Sequence, residues 1–151
     1  MPDYAAVLDR TLSTTATWGS FGASSGTQAR RLRLLYAEGG SEATPGDNAI
    51  RLTAQRYSND GTGTAVVPKP LDMADPVMLG VAADNHTVEP TYTAAEIMLD
   101  LPFNQKKGFV YYAPEGAEIV VPATDNAGIG FQTDTINTGT PVGTMTIHQR
   151  E

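Results

Sequence analysis

Few side chains in this sequence are suited to catalysis. The 151 residues include no cysteine and only two histidines, His86 and His148, which lie far apart along the chain. The lack of cysteine excludes disulfide frameworks, thiolate zinc sites and cysteine nucleophiles. Neither histidine belongs to a residue pattern typical of a catalytic or metal-ligating motif. The sequence therefore predicts no catalytic residue and no cofactor, and it favours a protein that is not an enzyme.

A glycine-rich segment, residues 61–64 (GTGT), comes nearest to a phosphate-binding motif. A phosphate loop follows a strand, opens a helix and usually carries a Lys-Ser/Thr pair. Here the next residues are Ala-Val-Val-Pro, which favour a loop crossing between sheets. Asp60, Asp72 and Asp75 are candidate calcium ligands, although their spacing is not that of a known calcium loop. We predict a structural loop and no metal site, with calcium near these aspartates as the open alternative.

Three aromatic residues share one predicted strand. Alternation places Phe109 and Tyr111 on one face and Tyr112 on the other, beside Val110. Sugar-binding modules use exposed aromatic rings as stacking platforms, whereas core packing with one tyrosine at the rim is the commoner arrangement. Glycoside hydrolysis needs a pair of carboxylates. Any set of 17 Asp and Glu residues contains some such pair, and nothing in the sequence singles out one pair.

The elements that must position these residues are predicted to be strands. The chain has 19 Thr, 15 Gly and 10 Pro but only 3 Lys, a composition rich in turn formers and poor in helix formers. Alternation of apolar and polar residues, bounded by turn signals, recurs without a repeated unit. This pattern predicts an all-β fold, a single antiparallel β-sandwich that is jelly-roll-like. The predicted strands are residues 29–37, 50–57, 77–83, 91–101, 107–113, 117–121, 127–134 and 142–149.

Two turns are predicted with particular geometry. Residues 44–48 (TPGDN) connect the first two strands, because Pro presets φ, Gly allows positive φ, and Asp and Asn bond their own backbone. Residues 114–116 (PEG) are predicted to join strands 107–113 and 117–121 as a tight hairpin.

The first 27 residues lack clear alternation, and much of this segment is small and hydroxylated. Such a segment buries too little apolar surface to order itself. Two interpretations remain: Trp18 folds back on the domain's own core, or the segment is an extended N-terminal arm that docks on a neighbour. We predict an arm at 1–27 and a sandwich domain at 28–151. The candidate capsid or subunit interface residues are Tyr4, Leu8, Arg10, Trp18 and Phe21.

Charge is distributed unevenly along the chain. The whole chain has a net charge of −7, with 10 basic and 17 acidic residues. Residues 1–56 carry 6 basic and 5 acidic side chains, whereas residues 57–151 carry 4 and 12. An acidic protein is a poor nucleic-acid binder, so we predict no nucleic-acid partner. No apolar run approaches the ~20 residues of a membrane span, and the first residues lack signal-peptide features, so no membrane partner is predicted.

Two stretches, residues 31–72 and 103–131, together resemble the small β-sandwich head decoration or cement proteins of tailed bacteriophages. The first has an arginine–aromatic strand end at Arg56 and Tyr57 before the GTGT loop. The second has an aromatic strand, a Pro-Glu-Gly turn, a VPAT edge and an Asn-Ala-Gly-Ile-Gly run. The structural loop residues predicted in these stretches are Gly61, Thr62, Gly63, Thr64, Pro68, Pro122, Asn126, Gly128 and Gly130.

The resemblance implies a structural role with no catalytic residues. We expect a virion protein that binds the outer surface of a phage capsid and stabilises contacts between major capsid protein subunits. It implies self-association as a trimer or dimer, assembly in the host cytoplasm and a final location on the capsid exterior. The alternative is a tail- or fibre-associated receptor- or carbohydrate-binding module that uses the Tyr111/Tyr112 region.

Overall fold

The computed structural model describes residues 1–13, 16–23, 29–134 and 141–151. Twelve strands make up the regular structure of these residues, and no helix there is long and apolar enough to cross a membrane. The strands are β1 (Asp3–Thr11), β2 (Thr17–Gly22), β3 (Leu32–Ala43), β4 (Ala49–Asn59), β5 (Thr62–Val66), β6 (Lys69–Pro70), β7 (Val81–Val88), β8 (Thr91–Asn104), β9 (Phe109–Tyr112), β10 (Ile119–Val121), β11 (Gly128–Asp134) and β12 (Val142–Arg150).

Two antiparallel sheets pack face to face, which confirms the predicted β-sandwich. The first sheet has the order β10-β3-β12-β1-β6, with β9 also paired to β3. The second has the order β5-β7-β2-β11-β4-β8. Strands from the two halves of the chain pair as β1 with β12, β2 with β11, β3 with β9 and β10, and β4 with β8. A long hairpin folded alternately between two sheets in this way is a jelly roll.

Residues 60–90 are an insertion within this jelly roll, between β4 and β8. Its strand β6 extends the first sheet beyond β1, while β7 and β5 extend the second sheet beyond β2. Residues 71–80, between β6 and β7, contain no strand; we refer to them as the apolar loop. The insertion therefore covers the edge of both sheets on the side of β1 and β2.

Aromatic rings from both sheets meet in the core. Trp18 of β2 packs edge-on against Phe109 of β9, with ring centroids 6.0 Å apart. Phe21 of β2 stacks on Phe131 of β11 at the same distance, and Phe103 lies 5.1 Å from Phe109. Burial of such large apolar surfaces is the main stabilising term of a domain of this size.

The predicted N-terminal arm is wrong. Strand β1 pairs with β12 along its whole length, and β2 lies inside the second sheet between β7 and β11. The small residues of β2 serve close packing: a Cβ at Gly19 would lie only 2.5 Å from Leu8 Cδ1. Residues 14–15 and 24–27 of the predicted arm lie outside the described residues. Small residues therefore indicate close packing in this segment and not an inability to order.

The predicted hairpin at residues 114–116 is also wrong. Strands β9 and β10 pair with the same edge of β3, at residues 36–39 and 32–34 respectively, and both are antiparallel to it. They are consecutive parts of one interrupted strand, and the turn between them protrudes from the sheet edge. The chain does turn at residues 114–116, because the Ala117 amide donates to the Pro114 carbonyl at 2.9 Å.

The other predicted strands are found with shifted ends. Strand β3 ends at Ala43, six residues beyond its predicted end, and β7, predicted at 77–83, is observed at Val81–Val88. Strand β7 continues through Asp84-Asn85-His86, beyond the predicted end at residue 83, and Asp84 and His86 are buried. The side chains of Asp84 and His86 make hydrogen-bond contacts that connect the insertion to the two sheets.

One buried side chain in the core, that of Gln149, is expected to lower the free energy of unfolding. Gln149 of β12 is fully buried, and neither of its amide atoms has a hydrogen-bond partner among the described residues. We expect Gln149→Met, which keeps the unbranched shape, to raise the free energy of unfolding by about 1–3 kcal/mol. Urea denaturation measures this change. Gln55→Met is the control, because Gln55 Nε2 donates to the Thr93 carbonyl at 2.7 Å and its loss should not stabilise. A destabilised Gln149→Met variant would contradict the prediction.

Candidate functional site

Ser20, Asp60 and His86 converge on the outer side of the second sheet. Ser20 Oγ donates to Asp60 Oδ1 at 3.0 Å and lies 3.2 Å from His86 Nε2. The same His86 nitrogen is 3.8 Å from Asp60 Oδ1. Burial alone would raise the pKa of Asp60, but the neighbouring His86 and Ser20 side chains outweigh it and lower that pKa. Asp60 is therefore a carboxylate at neutral pH.

This trio has the residue types of a serine hydrolase triad but not its geometry. In a triad the serine bonds one imidazole nitrogen and the carboxylate bonds the other. Here serine and carboxylate lie at the same nitrogen, and His86 Nδ1 has no partner among the described residues. Ser20 is fully buried, so no acyl group reaches its hydroxyl. The arrangement joins β2, the end of β4 and β7, and it gives no nucleophile.

The predicted structural loop residues fall in several different elements. Thr62, Gly63 and Thr64 belong to strand β5, and Gly128 and Gly130 belong to β11, so the loop assignment is wrong for these five. Gly128 and Gly130 lie beneath tyrosine rings: a Cβ would be 2.1 Å from the Tyr57 hydroxyl oxygen or 2.2 Å from that of Tyr92.

The other four residues of that set lie outside strands, as predicted. Gly61 and Asn126 have positive φ angles of 72° and 60°, as tight turns require. Pro68 is buried between β5 and β6, and Pro122 is exposed after β10. No helix follows the GTGT segment, which enters an edge strand instead of a phosphate-binding turn.

The three aspartates considered for calcium do not form a site with each other. Asp72 and Asp75 lie in the apolar loop, where the Asp72 carboxylate accepts from the Ala74 amide at 2.9 Å. Asp60 is engaged with Ser20 as described above. Among the residues that the structure describes, no group of three or more His, Cys, Asp or Glu side chains could hold a metal ion.

The residues predicted to contact a capsid or another subunit are not available for it. Tyr4, Leu8, Trp18 and Phe21 are buried in the core. Arg10 is charged and does not belong to the core, but it also makes internal contacts. Its guanidinium donates to the carbonyls of Thr17 and His86 at 2.7 and 2.9 Å and pairs with Glu89 at 3.2 Å. These residues hold β1 against the second sheet and are not an interface.

The apolar loop is instead the most exposed hydrophobic feature of the insertion. Its outward side chains include Met73, which is 97% exposed, and Leu71, Val77 and Leu79. The sequence predicts no strand at residues 71–76 and a strand from residue 77. The signal for an exposed loop is the set of apolar residues without alternation that follows Pro70 and is interrupted by Pro76.

Several bonds fix the apolar loop in position. The Leu71 amide donates to the Asp3 carbonyl at 2.8 Å, and the Leu79 amide donates to Glu151 Oε2 at 2.9 Å. The Tyr4 hydroxyl donates to the Pro76 carbonyl at 3.0 Å, while Met78 points inward and is buried in the core. Both ends of the loop are thus tied to the chain termini, and its outward side chains are presented on an ordered base.

A groove of about 620 Å³ lies beside this loop, on the outer face of the first sheet. Tyr112, Tyr36 and His148 are direct cross-strand neighbours on β9, β3 and β12 and form one aromatic row along it. Tyr112 lies on the opposite face of β9 from Phe109 and Tyr111, as alternation predicts. Tyr112 is 75% exposed, while Tyr111 is half-buried against the core. We call this feature the aromatic groove.

No family model, curated protein or solved structure matches the chain.

Proposed function

We propose that this protein is a non-enzymatic structural virion protein that binds the outer surface of a tailed-phage capsid. In this role it stabilises contacts between major capsid protein subunits and lies on the capsid exterior after assembly in the host cytoplasm. The observation that carries the proposal is the apolar loop, with four outward apolar side chains on a braced base. The resemblance of residues 31–72 and 103–131 to phage decoration proteins supports the choice of partner.

Exposed apolar clusters on otherwise polar proteins mark sites of protein–protein contact. A stable interface buries about 800 Å² on each partner, and a few central side chains supply most of the binding energy. Because the apolar loop is already braced, its ordering costs little free energy on binding. A β-sandwich that presents such a loop is suited to bridge a seam between capsid subunits.

The proposal includes self-association as a trimer or dimer, because symmetric positions on an icosahedral shell favour closed oligomers. Strand β8 (14 residues) is the last strand of the second sheet and offers a long edge for such contact. Light scattering of the purified protein measures its oligomeric state.

The test of the proposal is binding to capsids that lack the protein. We expect the purified protein to co-sediment with expanded capsids in a saturable way, with a fixed number of copies per shell. Intact virions should contain the same number of copies. Failure to bind such capsids, together with absence from purified virions, would overturn the proposal.

A second candidate function is a tail- or fibre-associated receptor- or carbohydrate-binding module. The observation in its favour is the exposed ring of Tyr112 in the aromatic groove. Localisation of the protein to the tail in labelled virions would favour this function over capsid binding.

A further inference from the structure

We infer that the aromatic groove binds a cationic peptide segment, with a lysine or arginine side chain lying over the row formed by Tyr112, Tyr36 and His148. This site lies on the first sheet and meets the apolar loop only at Leu71, which also lines the groove. The inference does not depend on the identity of the larger partner. A cation-binding site differs from the sugar-binding surface considered for Tyr112. The residues that line the groove favour the cation.

Aromatic side chains from three neighbouring strands, β9, β3 and β12, line the groove. Tyr36 pairs directly with Tyr112 on one side and with His148 on the other, and the Tyr36 and His148 ring centroids are 5.1 Å apart. Direct cross-strand partners hold their side chains within contact distance. A cation over the face of a tyrosine ring is attracted by the ring quadrupole. The row therefore offers adjacent ring surfaces to an extended basic segment.

Carboxylates surround this aromatic row. Asp3, Glu38, Glu115 and Glu118 line the groove, and Arg150 is the one lysine or arginine among its lining residues. Arg150 is already committed, because its guanidinium donates to both Asp3 carboxylate oxygens at 2.6 and 2.9 Å. The remaining carboxylates give the groove a net negative field, which attracts cations and repels anions.

Two carboxylates of the groove, Asp3 and Glu118, stay ionised at neutral pH. Backbone hydrogen bonds lower the pKa of Glu118, and the Arg150 hydrogen bond lowers the pKa of Asp3. Glu118 also pairs with Arg33 at 3.6 Å, whereas Glu38 accepts a hydrogen bond from the Tyr36 hydroxyl at 2.5 Å. That bond fixes Glu38 beside the aromatic row, where its charge acts on a bound cation.

A neutral sugar fits this site less well. Sugar hydroxyls both donate and accept hydrogen bonds, while ionised carboxylates only accept. The strongest donor in the groove, Arg150, is occupied by Asp3. A lysine or arginine side chain donates only, so it matches an acceptor-rich rim and also gains from the rings.

The experiment measures binding of a fluorescein-labelled tetra-arginine peptide to the full chain by fluorescence anisotropy. We expect binding that weakens with added salt and falls about tenfold in Tyr112→Ala and in Glu115→Gln. Glu96→Gln is the matched control: it removes the same charge, but from β8 on the other sheet, where Glu96 pairs with Arg56. Circular dichroism checks that each variant is folded.

Three results would overturn the inference. The first is no binding of the peptide at low salt. The second is an equal loss of affinity in Glu96→Gln and Glu115→Gln, which would show attraction by net charge alone. The third is binding of a neutral oligosaccharide such as cellotetraose that is lost in Tyr112→Ala while the peptide does not bind. None of these results bears on capsid binding through the apolar loop, so the two proposals fail separately.

Discussion

Replacement of Trp18 by alanine is expected to lower the free energy of unfolding by about 3–5 kcal/mol. Trp18 belongs to the second sheet, is fully buried and contacts the first sheet: it packs on Phe109, and its indole N–H donates to the Leu8 carbonyl at 3.3 Å. Domains of this size are stable by only about 5–15 kcal/mol, so the variant is expected to be partly unfolded near physiological temperature. Urea denaturation followed by far-ultraviolet circular dichroism measures the loss.

Tyr112→Ala is the matched control, because it removes an exposed aromatic ring and should change stability by less than about 0.5 kcal/mol. The comparison tests whether the first 23 residues are part of the sandwich. A Trp18→Ala variant as stable as the control would show that β2 is dispensable and would restore the idea of an arm. The chain has a single tryptophan, so circular dichroism and not its fluorescence must follow unfolding in this variant.

The double variant Met73→Asp/Val77→Asp is expected to lose capsid binding by at least about 100-fold. Two central apolar contacts worth about 2 kcal/mol each would give this loss or more when replaced by charge. Both side chains point into solvent, so stability should be almost unchanged. Co-sedimentation with capsids that lack the protein, over a range of concentrations, measures the change in affinity.

Val88→Asp serves as the control for this variant. Val88 is exposed and lies at the far end of β7, about 23 Å along the strand from Val81, where the apolar loop ends. Val88 belongs to the same insertion, so the substitution adds the same kind of charge to that part of the chain. The charge lies far from the proposed contact surface. Equal binding by the double variant and the native protein would show that the apolar loop does not contact the capsid.

The regular strands of the second half could be predicted from sequence because alternation is a local signal. Strand β12, for example, buries Met145 and Ile147 and turns Thr144 and Thr146 outward, as its alternation indicates. Strand β2 does not follow from alternation, for a physical reason. In β2 every residue is buried, and glycine and serine fill places where another strand or ring comes close. No alternation remains in a strand that is covered on both faces.

The candidate sites depended on information that the local sequence does not contain. The aromatic groove exists because the register of β9, β3 and β12 brings Tyr112, Tyr36 and His148 into one row. Alternation places Tyr112 on the face opposite Phe109 and Tyr111, but it gives neither which face is exposed nor the cross-strand partners. The cluster of Ser20, Asp60 and His86 likewise follows from long-range pairing of β2 with β7 and from the turn after β4.

The apolar loop was missed because exposure is a property of the folded molecule. Met73 and Met78 are chemically identical and five positions apart, yet one is 97% exposed and the other is buried in the core. The difference comes from the bonds of Leu71 and Leu79 to the chain termini, which fix the path of the loop.

The most direct test of capsid decoration is a reconstruction of the intact virion at a resolution that shows strands. We predict density for the sandwich on the outer surface of the shell, at symmetric positions over seams between capsid subunits. The apolar loop, with Met73 and Val77, should face the shell. Density only at the tail or fibres, or a shell-bound sandwich whose apolar loop faces solvent, would contradict this prediction.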